Sequence, residues 1–461
     1  MAITAPTYDP IPTATSLADK YILGRQQQLT AQTAANAAIA KGLTDLNSAL
    51  LAFQTSLSAL TGLNKSVYTQ SAAFSDTTIG NATASSTAAA GTYSFFVKKL
   101  AAASQVSYSG LTDDKSVSGK LTVNMGGAKA FDIDMTAADA DGNGTLTMRE
   151  LAAAINAAPE NTGKITASIV NTGGTAELVL TSKETGENTE ITLNTDLVSG
   201  GSLKAANDDE ERRHELVKAA DAEIRVGTED GTRIIQSTNT FTAIDGVKMT
   251  FTKAQASGDA PVTLTVARDD AATTANVKAF VDAFNALKAV LNKLTDAGDP
   301  AKKIAGGTFS HDSGIRALNE RLTTLLRPTS AESLATYGII STRTGTLELD
   351  ASRLLTQLTR NPEGLDGLLG STSAGNTNGI AGSLDGYLKT WSSSVDGQIK
   401  QRRDQNTTEQ SRLADRQVTL EQQHETAYQR YLQQFTQLQT MQGVMNHNVS
   451  LFDALFGNDK D

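Results

Sequence analysis

Two apolar stripes bracket the chain. Leu43, Leu46, Leu50, Phe53, Leu57 and Leu60 fall at alternating steps of three and four. On a helix those steps gather the side chains on one narrow seam, the a/d stripe of a coiled coil. Ala427, Tyr431, Phe435, Leu438, Met441, Met445, Val449 and Phe452 form a second seam. Upstream, Val395, Ile399, Leu413 and Leu420 keep the period, with polar residues interrupting it. No proline follows Pro362, so a continuous helix from about Val395 to Phe452 is allowed. At 1.5 Å per residue it would span roughly 85 Å. The first seam is expected to pack against this helix, with Tyr431, Phe435 and Leu438 facing it.

Between the stripes the period changes to two. Tyr93–Leu100, Val117–Met125, Phe131–Met135, Ile165–Val170, Ala176–Leu180 and Ile191–Leu193 read as strands. So do Ala222–Val226, Arg233–Gln236, Val247–Phe251 and Val262–Val266. Thr147–Ala158 predicts a short helix and Asn276–Leu294 a long one, with Val277, Phe280, Phe284, Leu287 and Leu291 on one broad face. Gly314–Leu326 and Ser352–Leu358 predict further helices. The Ser/Thr/Ala/Gly-rich stretch 71–91 reads as a linker, and 207–214 as a charged loop or helix start. The fold class is α+β multidomain, with helices from both ends forming a stalk that carries a β-rich head.

Composition narrows the function. The chain has 461 residues, 39% hydrophobic and 5% aromatic, with a net charge of −10. An acidic chain without a basic, aromatic-interleaved patch excludes nucleic acid as a main partner. The absence of cysteine excludes disulfides, thiolate metal sites and cysteine nucleophiles. No apolar run reaches the roughly 18 residues that membrane insertion requires. The N-terminus lacks the charged and apolar regions of a cleaved signal peptide, so if the protein leaves the cell, it does so by a route that does not read one. Glutamate first occurs at Glu150; the first 90 residues, dominated by Ala, Thr, Ser, Asn and Gln, bury little apolar area and are expected to be partly disordered without a partner.

One local pattern carries chemistry. Asp139, Asp141, Asn143, Thr145 and Glu150 stand at ligand positions of a twelve-residue calcium loop. Gly144 allows its sharp turn and Leu146 anchors it. Calcium is therefore a possible ion, although no cofactor is required. The same residues also read as an Asp/Asn/Gly-rich turn capping the Thr147 helix. His214, His311, His424 and His447 have no metal-ligand spacing. No phosphate loop, nucleophile elbow or paired acid/base carboxylates occur, so no enzyme is read. Trp391, at the expected start of the terminal helix, reads as a packing anchor.

Four stretches carry a family resemblance. These are Leu43–Leu60 with Tyr93-Ser-Phe-Phe-Val-Lys-Lys-Leu-Ala-Ala-Ala-Ser; Thr145–Asn156 followed by Ile165–Glu187, similar to the Ile-Asn motif of hook and cap proteins; Asp221–Val226 with Ser237–Val247; and Val277–Leu369 with Tyr431–Phe452. The chain thereby resembles the flagellar filament cap proteins, the flagellar hook-associated protein 2 family. It departs from the family's frequent Gly-rich opening, carrying Thr7-Tyr-Asp-Pro-Ile-Pro, and the acidic loop 139–144 looks like an insertion.

The resemblance implies a coiled-coil leg and β-rich heads. Residues 1–42 with 390–461 would be the terminal leg, disordered in the free monomer, and 43–75 with 272–389 a helical leg domain. Residues 85–112 with 215–271 would be an inner head, and 113–214 an outer α/β head. It further implies a secreted homo-oligomer, commonly of five, at the distal filament tip. There it would promote folding and insertion of exported flagellin, beside hook-filament junction proteins, after release from an export chaperone. Some members also act as adhesins. The alternatives are a calcium-stabilised coiled-coil surface adhesin and another flagellar axial protein; flagellin's Ser-Ser-Gly-Leu-Arg-Ile-like segment is not found.

Overall fold

The computed structural model describes residues 9–172, 174–327 and 332–456. The chain forms two compact units, Met1–Tyr68 with Ala271–Asp461, and Thr69–Asp270. The second unit is thus inserted in sequence between the two parts of the first.

Helix α1 (Pro10–Thr61) opens the chain. Asp9 caps it, its carboxylate accepting from the Ile11 N–H at 3.1 Å, and Pro10 supplies a fixed φ where no N–H is needed. The helix starts well before Leu43, where the seam alone placed it. Residues 10–42 are rich in helix-forming Ala and Gln, and the C-terminal helix Gln398–Phe456 supplies the packing face they lack.

The inserted unit is antiparallel β with two cores. Its strands are β1 (Gln70–Phe74), β2 (Gly80–Ala84), β3 (Gly91–Lys99), β4 (Gln105–Tyr108), β5 (Asp114–Lys115), β6 (Ser118–Met125), β7 (Ala128–Asp134) and β8 (Thr145–Leu146). Helix α2 (Met148–Ala157) follows, then β9 (Ile165–Thr172), β10 (Thr175–Ser182), β11 (Ile191–Asn194), β12 (Val198–Ser199) and α3 (Ser202–Asn207). The remaining strands are β13 (Arg213–Val217), β14 (Ala222–Val226), β15 (Thr232–Gln236), β16 (Thr240–Ile244), β17 (Val247–Phe251) and β18 (Val262–Arg268).

A five-stranded sheet, β1-β18-β3-β14-β15, and a three-stranded one, β16-β17-β2, share the first core. Phe251 is its hub, with ring centroids 5.3 Å from Phe74, 5.7 Å from Phe241 and 6.3 Å from Phe95. The stretch 71–91 is therefore not a linker: β1 pairs with β18 and β2 with β17. Their small polar residues give no alternation to read, and their partners lie far away in sequence.

The second core combines β13-β4-β10-β9, the sheet β11-β6-β12 with β7, and α2. Tyr108, Leu121, Phe131, Ile155, Leu178 and Leu180 lie fully inside it. It takes in β4 and β13, so it reaches past the expected limits of 113 and 214. The charged run 207–214 ends in β13, whose backbone pairs with β4 although its side chains are exposed.

The helical unit adds α4 (Asp270–Thr295), α5 (Ser313–Leu325), β19 (Ile339–Ser341), β20 (Leu347–Leu349), α6 (Ala351–Arg360), α7 (Gly364–Leu369), α8 (Gly379–Ser392) and α9 (Gln398–Phe456). Its core joins Leu43, Leu46, Leu50, Phe53 and Leu57 of α1 to apolar faces of α4 to α8. Trp391 lies in this core at the end of α8, and Val395, 82% exposed, falls in the break before α9. The terminal helix thus begins at Gln398 rather than near Val395.

The seam pairing expected between Leu43–Leu60 and Tyr431–Leu438 needs correction. Cross-helix contacts run from Thr44–Arg403 to Asp19–His424, so α1 and α9 are antiparallel and Tyr431 lies level with the start of α1. The heptad period shows that a stripe is apolar; it does not name the partner.

Candidate assembly surfaces and acidic loop

Beyond the helical core, α1 and α9 continue as a two-helix arm. Its seam is thin. Leu29, Leu413 and Leu420 are buried with Ile22 against them, and Ala14, Ala18 and Ala427 are buried too. Asn36 and Asn406 meet in the seam. Their polarity hid them from an apolar reading, yet the sevenfold spacing Leu29-Asn36-Leu43 and Ile399-Asn406-Leu413 would have found them. Exposed pairs flank the arm, including Arg25–Gln423 at 2.7 Å and Arg416–Gln32 at 2.8 Å.

The predicted packing residues divide into two groups. Leu43, Leu46, Leu50, Phe53 and Leu57 are at most 1% exposed, with Leu60 partly buried beside them. Tyr431 and Phe435 are half-buried. Leu438 is exposed, as are Met441, Met445, Val449 and Phe452 beyond it. Leu438, Met441, Met445 and Val449 thus form an exposed apolar row along the far part of α9.

The acidic loop draws three carboxylates together. Oxygens of Asp139, Asp141 and Glu150 lie within 4.8 Å of one another. Asp139 accepts from the Gly144 N–H at 2.7 Å, and Asp141 from the Asn143 N–H at 3.0 Å. Asn143 Oδ1 accepts from the Thr145 N–H at 2.7 Å. The other Asp139 oxygen is shielded from solvent without a hydrogen-bond partner. Glu150 also closes a capping box with Thr147 at the head of α2. The Thr147 N–H and then its hydroxyl hold the Glu150 carboxyl below the usual range. The helix-capping reading is met at Thr147 and Glu150; of the five residues read as ligands, Asp139, Asp141 and Glu150 come together, while Asn143 Oδ1 is taken by the Thr145 N–H. Among the described residues the histidines join no such grouping; His424 Nε2 instead meets Asp19 at 2.8 Å.

Comparison with known proteins decides the family. The chain matches the model of the flagellar hook-associated protein 2 N-terminus over residues 15–104 and that of its C-terminus over 219–447. It is 31% identical over 380 residues to a lateral flagellar hook-associated protein 2 of Vibrio parahaemolyticus, covering 80% of this chain and 82% of that protein. This chain belongs to the flagellar hook-associated protein 2 family. A B-type flagellar hook-associated protein 2 of Pseudomonas aeruginosa is 32% identical over 346 residues, 70% of each chain. The fold is similar to the crystal structure of the flagellar cap protein FliD D1-D2-D3 domains from Escherichia coli. The TM-score is 0.60 at 27% identity, covering 79% of this chain and 99% of that one.

The two family models leave residues 105–218 between them, the stretch that builds the second β core. There the Ile-Asn motif of this hook-associated protein 2 family member has a physical meaning. Ile155 is fully buried. Asn156 brackets strand β9, donating to the Ala167 carbonyl and accepting from its N–H, both at 2.8 Å. Asn161 does the same for Ile165 and also reaches back to the Ile155 carbonyl at 2.9 Å.

Proposed function

We infer that this chain caps the distal end of a bacterial flagellar filament and promotes folding and insertion of exported flagellin beneath it. The observation that carries the reading is the family match at both ends of the chain, joined to a shared fold with a flagellar cap protein. The family is structural, and the working parts would be surfaces rather than a catalytic centre. Deleting the gene tests it. Intact hooks, no filaments and monomeric flagellin in the medium are expected; normal filaments would overturn it. The family assignment also favours the cap over the adhesin.

Finer parts of the proposal have their own support. The cap is a homo-oligomer, commonly five copies in the family, and the chain meets hook-filament junction proteins and an export chaperone. The exposed apolar residues Leu438, Met441, Met445 and Val449 of α9 offer such partners a surface. The α1·α9 arm is the coiled-coil leg, supported by its antiparallel heptads. We propose as well that the Asp139–Glu150 loop takes calcium. Its support is the ligand spacing, the meeting of three carboxylates and the shielded, unpartnered Asp139 oxygen. Calorimetric titration of calcium, with Glu150→Gln as control, tests this; heat in neither protein would remove it. Among the described residues no helix is long and apolar enough to cross a membrane.

A further inference from the structure

Two heptad rows run through the helical unit without a break in period: Leu29-Asn36-Leu43-Leu50-Leu57 on α1 and Ile399-Asn406-Leu413-Leu420-Ala427 on α9. One position in each row is polar, and the two meet. Asn36 and Asn406 are 7% and 9% exposed. Asn406 Nδ2 donates to the Asn36 carbonyl at 3.0 Å and to Asn36 Oδ1 at 2.5 Å, and Asn36 Nδ2 donates to the Asn406 carbonyl at 3.3 Å. On one side lies the core, ending with Leu43 and Ile399. On the other lies the arm, with its small separate cluster of Leu29, Leu413 and Leu420.

We propose that the Asn36–Asn406 pair is a built-in parting point, dividing the two helices into a fixed core portion and an arm that opens on its own. A buried polar pair at a heptad position costs stability relative to apolar residues of similar size. It interrupts the continuous apolar seam that would otherwise make core and arm unfold together. The core side is anchored twice more: Arg402 pairs with Asp312 and stacks over Trp391 at 5.6 Å, and Arg403 reaches Thr44 Oγ1 at 3.3 Å. The arm side has exposed polar contacts, and such contacts add little. Opening therefore stops at the asparagines, where reciprocal hydrogen bonds must break together. The role rests on the cap reading: an arm that opens without unfolding its core can exchange its seam for neighbouring helices during assembly.

Amide hydrogen exchange on the full chain tests this without reference to capping. In the native protein, amides of 14–34 and 408–427 are expected to exchange together, at least tenfold faster than those of Leu43–Leu57. Asn36→Leu with Asn406→Leu joins the two seams and is expected to slow arm exchange about tenfold. Asn36→Ala removes the Oδ1 acceptor and the Nδ2 donor of the pair, leaving Asn406 only the residue-36 backbone carbonyl, and is expected to speed it about tenfold, with the core unchanged. The Ala variant keeps the test decisive if the double variant fails to fold. Arm exchange already as slow as the core, or unchanged in the variants, would overturn the parting point. A filament defect in the deletion strain bears only on the cap reading.

Discussion

Phe53 meets Phe284 edge to face, ring centroids 5.9 Å apart and planes at 72°. Phe280 closes on the same ring at 6.3 Å. These contacts make the second half of α1 a central element of a helical core rather than one strand of a stalk. Aromatic pairs of this geometry add about 0.5–1.5 kcal/mol beyond the area they bury. Phe53→Ala is therefore expected to cost the helical unit about 3–5 kcal/mol, and Leu50→Asp more. Trp391, the single tryptophan, lies in the same core, so its fluorescence reports this unit. Its urea midpoint should fall while the strand signal in circular dichroism holds; an unmoved midpoint would contradict the packing.

Asn156 is an amide holding both backbone groups of Ala167. Asn156→Asp removes the donor and sets a carboxylate against a carbonyl. A loss of about 2–3 kcal/mol is expected in the second β core at neutral pH. Chemical shifts of β9 and β10 in a selectively labelled protein would show the change there and not around Phe251. Stability equal to the native protein would mean that the motif is not held by these bonds.

Asp312 caps α5, accepting from the Ile315 N–H at 3.0 Å, and pairs with Arg402 of α9. Burial pushes its carboxyl up. The Arg402 hydrogen bond, the Ile315 N–H and the charge of Arg402 outweigh that and hold it below the ordinary aspartate value. A carboxyl depressed in the folded state stabilises the fold above its unfolded pKa. That contribution fades as pH falls through the folded value. Asp312→Asn keeps a competent helix cap but loses the charge, at about 1 kcal/mol near neutrality. Unfolding followed from neutral pH into acid should show a shallower decline in the variant. Parallel curves would rule the ion pair out as a source of acid sensitivity.

Gly42 stands in the middle of α1, where glycine normally costs a helix about 1 kcal/mol relative to alanine. A β-carbon there would lie 2.8 Å from Phe309 Cε2 and 3.4 Å from Leu294 Cδ2. Both neighbours are buried, so neither ring nor methyl has free space to retreat into. Gly42→Ala is expected to destabilise by about 1–2 kcal/mol, overpacking outweighing the propensity gain. Phe309→Ala should reverse the sign of the Gly42→Ala effect in a double-mutant cycle. An additive cycle would place the cause elsewhere.

The sequence by itself determined the helices at both ends, most of the strands between them, the acidic loop and the family. Each rests on a local or periodic signal: Leu43 to Leu57 repeat every three or four residues, and Asp139 to Glu150 lie within one loop. Only the tertiary structure decided partners. Leu50 faces α4 to α8 rather than Tyr431, because an apolar stripe carries no address. Strands β1 and β2 escaped the reading because Ser71–Phe74 and Gly80–Ala84 gain their order from backbone ladders to residues far along the chain. The sevenfold spacing marks Asn36 and Asn406 as seam positions, but only the antiparallel register shows that they lie level with each other. Which residue each one meets is a property of the pair, and a linear sequence states each residue alone.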